Sequence, residues 1–263
     1  MLKKRLIPTL LLQNGQLVKS VGFNEYQIIG NPKTAIQFFN AWAVDEIIFL
    51  DISKDRNYLD LMRDDYNYKS PDNFLGIVEE CAKICFVPLT VGGGIRSTDD
   101  MVAYFKHGAD KISINTEAVK NPKIITEGAL KFGKQAIVVS VDVKFISGKY
   151  EVFINHGLEA TGLDPIEWIK TVEKMGAGEI LINSIDRDGS LIGYDLNLIK
   201  NITDNVGIPV IALGGVGKWQ DLVDGVKLGG ASAVSAANIF HYTEQSTRQA
   251  KKHMVEIGLD VRI

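Results

Sequence analysis

Four aspartates in this sequence stand where an apolar run gives out, a position from which a carboxylate can take or give a proton. Asp51 closes the run at 46–52, and Asp186 and Asp188 lie in SIDRDG at 184–189, just after another run. Asp142 interrupts the stretch AIVVSVDV at 136–143. Any of the four can be an ordinary solvated loop carboxylate. Asp142 is the hardest to dismiss, because a charge in so apolar a run is costly to bury unless it is paired or used. A second chemistry is anion binding. Residues 87–95 (VPLTVGGGI) and 208–216 (IPVIALGGV) are the same pattern 121 residues apart: a β-branched apolar run that stops at consecutive glycines. A buried strand feeding a glycine loop and then a helix lets main-chain N–H groups approach a phosphate. Two ordinary tight turns are the alternative.

Charges at the opposite ends of these runs form a third group. Arg5, Glu46, Lys111 and Glu179 each open an apolar run. Two cations and two anions gathered there can pair with one another, and a salt-bridged plug with no further role is one ordinary reading.

The elements that must position these groups alternate. Strand-like runs fall at 5–12, 46–52, 86–91, 111–114, 136–143, 179–184, 209–213 and 232–236. Between them lie helical patterns at 32–42, 73–84, 98–107, 165–175 and 219–228. Eight strands alternating with helices predict a (β/α)8 TIM barrel with its active site at the C-terminal strand ends. An open doubly wound sheet is the alternative. An internal two-fold, half-barrel repeat favours the closed barrel. Glu46 and Glu179 correspond at an offset of 133 residues, and Leu11 corresponds to Asp142 at 131. By the glycine motifs the offset has fallen to 121, so the first half holds about twelve additional residues, within 54–71. That acidic, tyrosine-bearing insertion follows the second strand, on the catalytic face; it reads equally as a lid, a docking loop or a tolerated surface insertion. Because the repeat partner of Asp142 is Leu11, a symmetric pair of carboxylates is absent.

Composition bounds the answer. With 263 residues, 46% of them hydrophobic, and 7 prolines, the chain suits one globular α/β barrel spanning 1–263. A formal charge of −3 argues against general affinity for nucleic acid or acidic membrane surfaces. No apolar stretch is long enough for a membrane span and no signal-peptide pattern opens the chain, so a cytoplasmic location is expected. Cys81 and Cys85, four apart in a predicted helix, build neither a disulfide framework nor a zinc set. Neither a metal nor an organic cofactor is expected, since no metal cluster or dinucleotide fingerprint is present. His156 falls in a loop after the fifth strand, where a lone histidine is more often solvated.

The residues resemble the cyclase subunit of imidazole glycerol phosphate synthase, the HisF family, over essentially the whole chain. The likeness is carried by the opening MLKKR, by Val18 and Lys19, and by FLDI at 49–52 and TVGGGI at 90–95. It continues through GADKISINT at 108–116, SIDRDG at 184–189 and GGVGK at 214–218. The resemblance implies a HisH-like glutaminase docked under the barrel floor, whose ammonia passes a charged gate and rises to a bis-phosphate substrate. The gate would be Arg5, Glu46, Lys111 and Glu179. One phosphate site would use Gly94, Asn115 and Thr116; the other, Asp188, Gly189, Gly215, Ala237 and Asn238, with Lys19 and Asp51 also facing substrate. Asn238 stands where the family has serine. Asp142 would be catalytic, but Leu11 occupies the position of the family's second aspartate, and Leu213 replaces a usual serine. The segment 7–15 resembles a specialised branch, the glycosyl-amidation-associated HisF-like proteins of surface-polysaccharide pathways. There a sugar amidotransferase is thought to join the glutaminase in placing nitrogen on a nucleotide-activated sugar.

Three functions follow as expectations. The chain is an ammonia-conducting synthase subunit adapted to sugar amidation, an authentic histidine-pathway cyclase, or a non-catalytic conduit and scaffold.

Overall fold

The alternation of apolar residues along the strands decides the architecture, because every barrel strand buries both faces. The computed structural model describes residues 3–55, 58 and 71–262. In chain order the strands are β1 (Arg5–Gln13), β2 (Gln16–Val21), β3 (Glu25–Gly30), β4 (Ile47–Asp51), β5 (Leu89–Gly92) and β6 (Lys111–Ile114), followed by β7 (Ile137–Ile146), β8 (Lys149–Ile154), β9 (Glu159–Ala160), β10 (Glu179–Ser184), β11 (Val210–Leu213) and β12 (Ala233–Ala236). The helices are α1 (Pro32–Ala41), α2 (Phe74–Ala82), α3 (Thr98–Lys106), α4 (Thr116–Lys120), α5 (Lys123–Phe132), α6 (Pro165–Met175), α7 (Leu196–Thr203), α8 (Trp219–Lys227) and α9 (Ser246–Glu256).

Eight strands pair in parallel in the cyclic order β1, β4, β5, β6, β7, β10, β11, β12, and β12 returns to β1 through Arg5↔Ala233 to Pro8↔Ala236. The expected closed (β/α)8 barrel is therefore the fold. Local chemistry starts the helices where the sequence suggests. Asn31 caps α1 through Lys33 N with Pro32 at its first turn, Asp164 caps α6 in the same way, and Ser97 with Asp100 forms a capping box on α3.

Parity along each strand separates two cores. Leu6 and Leu10 of β1, Val139 and Val141 of β7, and Ile180 and Ile182 of β10 face the helices. Ile7, Ile48, Val138, Leu181 and Ile211 instead meet inside the barrel as a separate apolar layer. Counting by twos along β10 thus runs Glu179, Leu181, Asn183 from the floor to the mouth, and along β7 it runs Val138, Ser140, Asp142.

The half-barrel repeat takes a form that the residue pattern did not announce. Strands β1 and β7 are the longest, with 9 and 10 residues, and each continues into antiparallel extensions, β2–β3 and β8–β9. Leu11 pairs Val18 at the start of one extension, and Asp142 pairs Phe153 at the start of the other, which is the equivalence drawn from sequence.

Two expectations need correction. The third strand begins at Leu89 rather than at 86, and Phe86 is 86% exposed in the preceding loop. Asn40 explains this: its side chain accepts from Phe86 N at 3.1 Å and donates to the Ile84 carbonyl, so the loop's polar groups are satisfied away from the sheet. Helix α2 ends at Ala82, so Cys85 lies in the turn beyond it and only Cys81 is helical. Of the insertion at 54–71, only 54, 55, 58 and 71 lie among the described residues, so its expected role as lid or docking loop falls outside them.

Candidate functional site

At the floor, the four strand-opening charges meet in one ring. Arg5 reaches Glu46 at 2.6 Å and Glu179 at 3.0 Å; Lys111 reaches the same two carboxylates at 2.8 and 2.9 Å. Each cation thus bridges both anions, and the four side chains are 9–19% exposed. Burial alone would lower the Arg5 pKa, but Glu179 and Glu46 outweigh it and the net shift is upward. Burial would raise Glu46, yet Arg5 and Lys111 hold it below the usual carboxylate range. The ring holds two cations and two anions at the strand starts, the end of the barrel away from the glycine loops.

At the other end, the strand tips surround a cavity of about 270 Å³. Its wall has two characters. Leu11, Leu50 and Leu213, from β1, β4 and β11, make one side apolar. Asn115, Asp142 and Asn183, from β6, β7 and β10 or just beyond, make the other side polar. Asn115 Nδ2 donates to Asp142 Oδ2 at 2.8 Å, and Asn183, paired with Asp142 in register, lies beside the same carboxylate and favours its charged form. Burial pushes the Asp142 carboxyl up to about 7, against the opposing pull of these two amides, with Asp188 adding to the rise. Asp142 therefore sits poised between acid and base near neutral pH.

That poise is expected to cost stability. The unfolded carboxyl titrates near 3.8 and the folded one at about 7, so its stabilising contribution is complete below 3.8 and is lost as pH rises through 7. Asp142→Asn, which cannot ionise, is expected to exceed wild type by about 2–4 kcal/mol above pH 7. The difference should shrink steadily as pH falls toward 3.8 in urea denaturation series. A pH-independent difference would separate Asp142 from this linkage.

The glycine loop of the first motif belongs to the cavity, with Gly93, Gly94 and Arg96 beside Asn115 and Thr116. Glycine is required at 93: φ is +115°, and a Cβ there would lie 2.3 Å from the Asp51 carbonyl oxygen. This loop, Asn115, Thr116, Asp142, Asp51, Asp188 and Ala237 all line the cavity, as does His156, whose pKa burial lowers. Asp51 is turned toward its own chain, accepting from Ser53 N and Oγ at 3.0 and 2.6 Å and from the Tyr58 hydroxyl.

Of the second expected phosphate set, Asp188 and Ala237 line this cavity and the other three do not. Lys19, Gly189, Gly215 and Asn238 are not part of the cavity wall. Lys19 belongs to β2 itself, while Gly189 and Asn238, with the cavity residue Asp188, pack against the β2–β3 hairpin. Asp188 accepts from Ser20 Oγ at 2.6 Å and from Phe23 N at 3.1 Å, its carbonyl accepts from Gly22 N, and burial raises its pKa. Asn238 Nδ2 donates to the Ser20 carbonyl, Gly189 packs on Ser20 and Val21, and Lys19 donates to the Tyr242 hydroxyl. Gly215 faces the Gly193 carbonyl. Asp186 plays the matching part for the other hairpin, accepting from Phe145 N at 2.7 Å. Asn183 is the site residue that motif reading missed; counting by twos from Glu179 finds it.

Among the described residues, no group of three or more histidine, cysteine or acidic side chains is placed to hold a metal, and no helix is long and apolar enough to cross a membrane. Compared with known protein families, the chain matches the one described as histidine biosynthesis protein over residues 5–246.

Proposed function

The chain belongs to the histidine biosynthesis protein family, the HisA/HisF superfamily of barrels, and from that premise we propose that it is a HisF-like synthase subunit of a glutamine amidotransferase complex. A HisH-like glutaminase binds under the floor, and its ammonia crosses the ring of Arg5, Glu46, Lys111 and Glu179. It then rises through the barrel to the cavity at Asp142. One observation supports this reading: a ring of four interlocked charges lies at the end of the barrel opposite the cavity. A ring of that kind holds back ions and bulk water, and rotation of one side chain opens it to a small neutral molecule.

The acceptor is a phosphorylated small molecule or, on the preferred reading, a nucleotide-activated sugar of surface-polysaccharide synthesis handled together with a sugar amidotransferase. What supports a changed acceptor is the wall facing Asp142. Leu11 and Leu213 offer no group that can exchange a proton, so chemistry needing acid and base on opposite sides loses one partner.

A second reading, an authentic cyclase of histidine biosynthesis, draws support from the family match and from the glycine loop beside Asn115 and Asp142. The discriminating assay is ammonia-dependent cyclisation of that pathway's bis-phosphate substrate. The preferred reading expects no turnover by the wild type. Leu11→Asp is expected to raise the rate by about 10²-fold or more if the substrate still fits, because one positioned acid–base group is worth that much. Turnover by the wild type would establish the cyclase instead.

A further inference from the structure

Lys54 and Arg96 are the lysine and the arginine of the cavity wall, and both are exposed. They leave neighbouring strand tips. Lys54 lies three residues beyond β4 and Arg96 four beyond β5, strands that pair through Leu50↔Gly92. Their loops touch where Gly93 lies on the Asp51 carbonyl. The Lys54 charge reaches the cavity histidine as well, since burial first and Lys54 second lower the His156 pKa.

Neither cation is ion-paired with any described residue, although Asp51, Glu117, Asp142 and Asp188 line the same cavity. Three of those carboxylates already accept from Ser53, Asn115 and Ser20. The floor is the contrast, because there each cation bridges two anions. Beside the cations, the Gly94 and Ile95 N–H groups donate to no described group, while Arg96 N and Ser97 N are spent on Asp100. Thr116 Oγ1 accepts from Asn155 N, which leaves its own hydrogen to donate.

We propose that the cavity holds its ligand by a diphosphate group, one phosphate on the Gly94 and Ile95 N–H groups with Thr116, the adjacent one between Lys54 and Arg96. The inference rests on the reading of this cavity as the acceptor site and names the acceptor's class, a diphosphate ester such as an activated sugar carries. Both anion seats lie on one side. Across the cavity Asp142 and Asp188 present acceptors, and the Gly215 main chain is occupied by Gly193, whose N–H donates to its carbonyl at 2.8 Å. A substrate with phosphates at its two ends fits this distribution poorly; one with adjacent phosphates fits it well.

The test is calorimetric titration of the chain alone, at fixed ionic strength with EDTA present so that no metal bridges the phosphates. The ligands are inorganic pyrophosphate, inorganic phosphate, UDP and UMP. Pyrophosphate should bind about tenfold or more tightly than phosphate, the worth of one charged hydrogen bond. UDP should exceed UMP by a similar factor, which places the diphosphate in an ester and not only in the free ion. Lys54→Gln and Arg96→Gln should each remove most of that preference and leave phosphate affinity nearly unchanged; Lys54→Arg should retain it. Both positions are exposed, so the variants should fold. The proposal is overturned if pyrophosphate and phosphate bind alike, if UDP binds no better than UMP, or if both glutamine variants keep the wild-type preference. The titration involves neither glutamine nor ammonia, so its failure is distinct from a failure of the ammonia path.

Discussion

Lys111→Ala is expected to leave glutamine hydrolysis running in the proposed complex while ammonia-derived product falls several-fold relative to the glutamate released. Lys111 is one of two cations that clamp Glu46 and Glu179 together at 2.8 and 2.9 Å. Removing it opens one side of the ring and leaves Arg5 facing two carboxylates by itself. Ammonia then meets water and protons at the floor, and the cation formed there is held by the exposed anions rather than delivered. The ratio of product to glutamate, measured with glutamine as sole nitrogen source, reads this directly. Added ammonium salt should restore product formation, since it reaches the cavity from the open end. A ratio equal to that of wild type would remove the ring from ammonia transfer. The same change has a readout that needs no partner. Breaking a buried pair by removing one member costs about 3 kcal/mol, so a clear fall in Tm is expected even for the isolated chain.

The second large effect is at Asp142. Asp142→Asn should reduce ammonia-dependent product formation by about 10²–10⁴-fold, the range for losing a positioned acid–base group. Only the ionised carboxylate accepts a proton from nitrogen, and burial places that ionisation at about 7. The wild-type rate should therefore fall as pH drops through 7 and level off above it, at constant free ammonia rather than constant total ammonium. In Asp142→Asn this inflection should vanish along with most of the rate. A variant that keeps both the rate and the inflection would mean that another group does the proton transfer. The variant's expected gain in stability above pH 7 separates this loss from misfolding.

Much of this arrangement was legible in the residues. Strands of the barrel are buried on both faces, so they appear as apolar runs, and the runs at 111–114 and 179–184 coincide with β6 and β10. The charges that open four of the runs stood out because little else in those segments is charged, only Asp51 at the far end of one, and the fold brings all four into one ring. The antiparallel extensions stayed hidden. β3 is mostly exposed, so no buried face enforces an alternation that could be read. Helices α4, α5, α7 and α9 were not singled out, although α5 and α7 carry apolar faces as regular as those of α1–α3. Phe86 misled through its type: an aromatic next to β-branched residues suggests a strand, but the Asn40 side chain 46 positions away sets the local structure. Asn183 escaped for a different reason. A single polar residue inside an apolar run carries no motif, and only the step of two from Glu179 reveals that it points inward. The contact of Asp188 with Ser20 of the β2–β3 hairpin joins segments more than 160 positions apart, which no local pattern announces.

The last pairing that closes the barrel joins β1 to β12, so Arg5 must wait for Ala233, 228 residues downstream. During synthesis β1 finds β4 early on one side, while its other side keeps a row of unpaired N–H and C=O groups until nearly the whole chain has left the ribosome. An open edge of that kind invites pairing with other nascent chains. Chaperone demand should therefore be set by the time needed to translate the C-terminal third, and synonymous changes that slow that region should raise aggregation without altering a single contact of the finished molecule. The bridge from Lys4 to Val261 adds a contact beside the same closure, made only after β12 has already paired.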